Sequence, residues 1–385
     1  MNSATPNFAM VAGEASGDLL AGLLLGGLRA RWPGLTAQGI GGPRMAAQGF
    51  EAWWPHDKLS VFGYVDALLN LRELLLIRSQ LAQRLLVVEG DERPAVFIGV
   101  DAPDFNFGLE QRLREAGMRT VHFVCPSIWA WRAERVEKIK QAADHVLCLF
   151  PFEPALLHPH GIGATYVGHP LADAIPLVAP KAASRAALGL AEQAVVVALL
   201  PGSRRSEMRY IAEPLLRAAV LMQKVRPELR FVMPVAPGLR ELLAPLLARH
   251  APGLDLQLLD GHSHEALAAC DVTLVASGTA TLEAALFKRP MVIAYRMNAL
   301  NWWRMKGKNY QPWVGLPNVL AREFIVPELI QDACTPEALA REGLAWLDDA
   351  SRYARAQACF EQQHLMLRCN TALQASDAIA KIIQR

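Results

Sequence analysis

The sequence is poor in the features that tie a chain to a single class of partner. Its charges nearly cancel, with 39 Lys and Arg against 37 Asp and Glu, a net of +2. No global field therefore draws it to nucleic acid, and any basic site has to be local. Cysteine is sparse: Cys125, Cys148, Cys270, Cys334, Cys359 and Cys369 lie far apart with no CxxC pair. That spacing suggests neither a disulfide framework nor a zinc site, so the six are expected to be reduced and structural. No uninterrupted apolar run reaches the roughly 18 residues of a membrane span. No basic, apolar, small-residue signal pattern opens the chain either, and the expectation is a cytosolic protein or one attached to a membrane face. There is no GxGxxG fingerprint for a dinucleotide. Neither an isolated DxD after a strand nor a ligand-spaced set among the ten histidines offers to hold a metal.

What is abundant is apolar sequence in short runs. Hydrophobic residues make up 52% of 385, ample for buried sheets and too long for one core of ordinary size. Runs such as "FAMVAG", "AVFIGVDAP", "RTVHFVCP", "HVLCLF" and "TYVGHP" alternate with helical stretches, as do "AVVVALLPGS", "LRFVMPVA", "DVTLVASGT" and "RPMVIAY". This is the pattern of parallel sheets covered on both faces. The predicted fold is α/β, with two Rossmann-like domains facing across a cleft. Their expected bounds are 1–170 and 171–350, followed by a helical segment, 351–385, that packs back on the first domain. Open sheets of this kind bind ligands at the carboxyl ends of their strands.

Several strand ends carry turns suited to that task. "LLPGSRRSE" supplies Gly202, Ser203 and Arg204, and "ASGTATLEAAL" places Ser277, Gly278 and Thr279 at the start of a helix. Amides at a helix N-terminus attract a phosphate, glycine lets it approach, and Arg204 can clamp a diphosphate with its planar fork. Either turn alone is also explained by ordinary N-caps, whereas two in one half favour a phosphate site. Glu283, one turn into the second helix, is placed to accept ribose hydroxyls or to face solvent. In the first half, "VAGEASGD" hands the first strand to the first helix with Glu14, Ser16 and Asp18, and "GIGGPRM" ends another strand. "GVDAPDFN" brings Asp101 and Asp104 to a strand end, where a shielded acid acts as a general base. Asp104 follows proline and reads more readily as a turn cap, so Asp101 is favoured.

Two segments stand out. "VFGYVDALLNLRELLLIRSQLAQRLL", residues 61–86, is a helix with leucines over more than half its circumference, the usual pattern of a core helix. "LNWWRMKGKNYQPW" mixes Trp302, Trp303 and Trp313 with Arg304, Lys306 and Lys308, as membrane-surface segments do, although tryptophans also fill domain interfaces. Trp129, Trp131, Arg132 and Arg135 in the stretch after Cys125 suit a sugar face, an acyl stem or a phosphate, or a structural role. His122 and His169 read first as structural residues, with His169 a candidate on the donor side.

In this order, "VAGEASGD", "GIGGPRM", "GVDAPDFN", "PSIWAWR", "YVGHPLAD", "LLPGSRRSE", "ASGTATLEAAL" and "LPNVLA" resemble the lipid-A-disaccharide synthase family, bacterial inverting glycosyltransferases of the GT-B fold. Cys125 stands before the proline of "PSIWAWR" where serine is common in the family. The resemblance implies transfer from UDP-2,3-diacylglucosamine to the 6-hydroxyl of 2,3-diacylglucosamine 1-phosphate, giving a β-1,6 disaccharide 1-phosphate and UDP. It implies no metal and no cofactor, and it implies acyl chains on both substrates, for which the 61–86 helix is a candidate apolar exit. Asp101 aligns with the family's essential aspartate. Gly202, Ser203, Arg204, Ser277, Gly278, Thr279, Glu283 and the Asn318 of "LPN" fall in its donor segments. Glu14, Ser16, Asp18, Trp129 and Arg132 are assigned to the acceptor. A protein of this kind contacts inner-membrane lipid on the cytoplasmic face, admits a homodimer and has no business with nucleic acid. Two other readings share the architecture: a UDP-sugar 2-epimerase, which has no use for exposed apolar helices, and a lipid or nucleotide-sugar carrier, which has no use for Asp101.

Overall fold

A computed structural model of the chain describes residues 5–59, 64–88, 90–130, 134–298, 302–303 and 311–384, with the backbone alone at 57, 64–71 and 91. Two compact units emerge: Met1–Asp173 together with Leu367–Arg385, and Ala174–Met366. The C-terminal segment expected to act as one piece is thus divided. The helix Ala350–Leu367 belongs to the second unit up to Met366, and the last helix, Thr371–Ile383, belongs to the first.

The first unit is built on seven strands: β1 (Asn7–Ala12), β2 (Thr36–Gly41), β3 (Glu51–Pro55), β4 (Val96–Val100), β5 (Thr120–Phe123), β6 (His145–Cys148) and β7 (Gly163–Tyr166). They lie in the order β3-β2-β1-β4-β5-β6-β7, and every pairing is parallel. All five residues of β4 and the last five of β1 are buried, which explains their continuous apolar runs. The second unit pairs β8 (Val196–Leu200), β9 (Arg230–Val235), β10 (Leu256–Asp260), β11 (Val272–Ala276), β12 (Met291–Tyr295) and β13 (Glu328–Ile330) in the order β10-β9-β8-β11-β12-β13. These pairings are parallel too. Each unit is therefore a doubly wound α/β sheet, as the strand runs predicted.

The strand order reverses direction between β1 and β4 in one sheet and between β8 and β11 in the other. At such a switch point the flanking crossovers leave on opposite faces, and a crevice opens at the strand ends. "GEASGD" follows β1 and Asp101 follows β4, while "PGSR" follows β8 and "SGT" follows β11.

The leucine-rich helix runs Tyr64–Val87. Of its described side chains, Ile77, Leu81, Ala82 and Leu85 are buried in the first unit's core with Val11, Ile40, Phe97 and Leu113. Leu75 and Leu76 are exposed. The part of the lipid-exit expectation that falls on side chains 64–71 lies outside the described residues.

Candidate functional site

In the first unit, three non-glycine residues at the β4 and β5 ends adopt left-handed backbone: Asp101 (φ 51°), Ala102 (φ 42°) and Val124 (φ 86°). For a β-branched valine this conformation is a true outlier, and clustered strain of this sort marks functional sites. The Asp101 amide donates to the Phe123 carbonyl at 2.9 Å. The wholly buried Asn106 donates from Nδ2 to the Asp101 carbonyl at 2.8 Å. The backbone at Asp101 is thus fixed on both sides, and its half-buried carboxylate is presented to a cavity of about 320 Å³ lined by Pro103, Val124, Cys125, Pro126, Ser127 and Arg135. Asp104 is exposed, and Arg135 donates to it at 3.0 Å. Arg135, whose guanidinium is largely buried, brings a cation to the Asp101 cavity. Arg132, the candidate named for that task, lies outside the described residues, as does Trp131.

The opening turn is divided in role. Glu14 and Ser16 are exposed at the start of the helix Ala15–Arg31. Asp18 is 2% exposed, and its carboxylate accepts three backbone N–H groups: Gly42 at 2.8 Å, Arg44 at 2.9 Å and Met45 at 3.1 Å. Asp18 therefore clamps the "GGPRM" turn and is not available to an acceptor, contrary to its assignment. Gly42 is required there, since a Cβ would lie 2.6 Å from the Asp18 carboxylate. Trp129 is drawn inward as well. Its Nε1 donates to Glu153 at 3.3 Å and its ring meets Phe150 and Phe152 edge-on.

Both histidines are buried. His122 is fully buried with Nδ1 2.7 Å from Glu110. His169 belongs to the first unit rather than the donor unit, its Nδ1 accepts the Leu171 amide, and burial lowers its pKa to about 4.

In the second unit a cavity of about 510 Å³ is lined by Gly202, Ser203, Arg204, Ser277, Gly278, Thr279 and Glu283, so seven of the eight donor candidates converge. The eighth does not. Asn318 is wholly buried, donates to the Val326 carbonyl and Glu328, and accepts from Ile325 and Val326, which uses its full hydrogen-bonding capacity. It ties the helix Leu316–Ala321 to the segment 325–328.

The amide cradle also differs from the expectation. Glu207 Oε2 accepts from the Ser203 and Arg204 amides at 2.9 and 3.2 Å, so a carboxylate of the same helix already occupies the "PGSR" turn. The Ser277 amide is bonded to the Ala294 carbonyl. The guanidinium of Arg204, 73% exposed and 3.9 Å from Glu207, is the one cationic side chain among the described residues lining this cavity. Gly278 and Thr279 remain at the N-terminus of the helix Thr279–Leu286.

Two cavity neighbours were not singled out from sequence. One is Glu207. The other is the His264 that stands 3.5 Å from Glu283, beside the cavity residues Gly261 and Ser263; its pKa is raised by hydrogen bonding to that carboxylate. The sequence signal for His264, a "DGHSH" turn closing β10, is weak because β10 has a mixed, half-exposed pattern.

Solved structures share this architecture. A UDP-GlcNAc 2-epimerase from Neisseria meningitidis, bound to UDP-GlcNAc, matches with a TM-score of 0.64 at 12% identity over 98% of this chain and 99% of its own. A glycosyltransferase from Rickettsia africae matches with 0.59 at 11% identity over 100% and 99%. At such identities the likeness shows the fold alone, and the fold does not separate transferase from epimerase. Sequence does. The lipid-A-disaccharide synthase of Verminephrobacter eiseniae is 57% identical over 97% of each chain. That of Albidiferax ferrireducens is 56% identical over 98% of this chain and 97% of its own. The model of the lipid-A-disaccharide synthetase family matches residues 8–383, spanning both switch points, and the chain belongs to that family.

Proposed function

We propose that the protein joins UDP-2,3-diacylglucosamine to 2,3-diacylglucosamine 1-phosphate with Asp101 as general base. The observation that carries the assignment is the strained, doubly anchored backbone at Asp101, held at the β1/β4 switch point with its carboxylate facing a cavity. Asp101 takes the proton of the acceptor 6-hydroxyl as that oxygen attacks C1 of the donor sugar. The new C1–O bond forms on the face opposite the departing phosphate oxygen, which leaves with its electron pair as UDP, so the anomeric centre inverts. Arg204 and the amides of Gly278 and Thr279 stabilise charge on the leaving diphosphate, each well-placed donor contributing about 3 kcal/mol. Glu283, oriented by His264, receives the ribose, and Glu14 and Ser16 face the acceptor.

The enzyme works at the cytoplasmic face of the inner membrane without crossing it. Among the described residues no helix is long and apolar enough to span a bilayer. Exposing an acyl chain to water costs about 0.8 kcal/mol per methylene, so substrates with such chains favour catalysis at the surface. A homodimer is compatible with this reading.

The test is incubation with UDP-diacylglucosamine, with and without diacylglucosamine 1-phosphate. UDP is expected only when the acceptor is present. An isomerised donor formed without acceptor would establish the epimerase, and no turnover at all would establish a carrier. Asp101→Asn should bind both substrates and lose about a hundredfold or more in turnover; near-normal turnover at saturation would refute the assignment.

A further inference from the structure

Behind the Asp101 cavity, the thiols of Cys125 and Cys148 and the carboxylate of Glu153 converge, with their ligand atoms all within 4.8 Å of one another. The three side chains come from the β5 end, the last residue of β6 and the turn after it. They are 5%, 0% and 1% exposed. Adjacent parallel strands bring the thiols together, since the Val124 amide donates to the Leu147 carbonyl at 3.1 Å. Two buried thiols alone would read as small core residues. A buried carboxyl group beside them is different, because its oxygen adds a third ligand atom within 4.8 Å of both sulfurs. Neutral N–H groups reach Glu153, among them Trp129 Nε1 on one oxygen, the Phe150 amide on the other, and the Leu149 amide.

We propose that Cys125, Cys148 and Glu153 form a binding site for a thiophilic divalent cation of the zinc class. Two sulfurs and one oxygen select such an ion over magnesium or calcium, which prefer all-oxygen sets. In a tetrahedral site with metal–sulfur bonds of about 2.3 Å, the sulfurs stand about 3.8 Å apart, so side-chain rotation by roughly 1 Å closes the cluster. The N–H groups on Glu153 already orient its carboxylate, as outer partners do in built metal sites. Entry is available, since Cys125 lines the same cavity as Asp101. Water from that cavity completes the fourth position. On binding, each thiol exchanges its S–H bond for a sulfur–metal bond, the Glu153 carboxyl exchanges its O–H bond for an oxygen–metal bond, and the displaced protons pass to solvent. The site lies outside the transfer chemistry, which needs no metal in the reading above.

The test uses the full chain, reduced and freed of metal with a chelator, titrated with Co²⁺ and then with Zn²⁺. The expected result is one equivalent of tetrahedral cobalt with near-ultraviolet thiolate charge-transfer absorption, bleached by zinc. The absorption should be lost in Cys125→Ser and in Cys148→Ser and kept in Cys359→Ser. Peptide mapping after alkylation of the wild type, with and without Zn²⁺, needs no variant to fold: zinc should protect Cys125 and Cys148 and leave Cys359 unprotected. A wild type without the thiolate band, a band that survives both serine substitutions, or unprotected Cys125 and Cys148 would each overturn the proposal.

Discussion

Replacing Asp18 separates two roles for the opening turn, because the structure makes it a clamp where sequence suggested a substrate contact. Its Oδ1 accepts the Gly42 and Met45 amides and its Oδ2 accepts the Arg44 amide, all from a side chain 2% exposed. Asp18→Asn keeps the shape and one acceptor oxygen, but sets an NH2 group against the Arg44 N–H. One charge-assisted bond is lost and two donors face each other, at a cost of about 2–3 kcal/mol. Asp18→Ala leaves all three amides without that partner; partial hydration of the Arg44 amide limits the cost to about 4–5 kcal/mol. For a unit in the range of roughly 150–250 residues, each kcal/mol lowers the melting temperature by about 2–4 °C. The expected shifts by scanning calorimetry are therefore roughly 4–12 °C for asparagine and 8–20 °C for alanine. At a temperature where Asp18→Asn is folded, its KM for the acceptor should stay close to that of the wild type. A variant that melts within about 2 °C of the wild type while its acceptor KM rises would refute the clamp and restore Asp18 to the acceptor site.

Arg204→Ala should weaken UDP binding by calorimetry and slow transfer, since its partner gains negative charge as the bond breaks, and Arg204→Lys should recover only part because a point charge lacks the planar fork; unchanged UDP affinity in the alanine variant would remove Arg204 from the donor site. His169, with its pKa lowered to about 4 by burial, takes up a proton in the unfolded chain first as the pH falls below 6.5. Folded stability therefore drops between pH 6.5 and pH 4, by at most about 3 kcal/mol, and is flat below. Urea titrations at pH 7 and pH 5 should show about 2 kcal/mol of that loss in the wild type and a smaller one in His169→Gln; identical losses would exclude His169 as the source. Trp303 is 74% exposed beside the half-buried Trp302, and a Trp302→Ser, Trp303→Ser double variant should sediment less with anionic vesicles at low salt, whereas equal pelleting at every salt and lipid composition would exclude this segment as an anchor.

The fold was legible wherever strands are buried on both faces. β1, β4, β8 and β11 announce themselves as continuous apolar runs because each residue meets a helix on one side or the other. The edge strands β3, β10 and β13 do not. "EAWWP", "LQLLD" and "ELI" are half-exposed and carry charges, so neither alternation nor continuity picks them out. The switch points were legible in outline for a related reason. A glycine-rich turn after a fully buried strand is conspicuous, and those turns fall where the strand order reverses.

What the sequence did not disclose is which partner each turn residue already has. Asp18, Asn318 and Glu207 carry the same polar atoms that a substrate site uses, and in the first turns of their helices they are as well suited to bind ligand as backbone. The choice is made by amides distant in sequence or hidden by local geometry. Asp18 is taken by residues 42–45, Asn318 by residues 325–328, and the "PGSR" amides by Glu207 one turn on. Glu207 also explains Gly202, whose φ is +105° and where a Cβ would lie 2.3 Å from the Glu207 carboxylate. The glycine that reads as room for a phosphate is here room for a carboxylate. In the first unit the strain runs the other way. Asp101, Ala102 and Val124 hold left-handed backbone that local sequence disfavours, and Asn106 reaches the Asp101 carbonyl to maintain it. A turn residue that satisfies its neighbours supports the fold; one held in an unfavourable conformation by its neighbours is free to act on something else, which is why Asp101 and not Asp18 is assigned the chemistry.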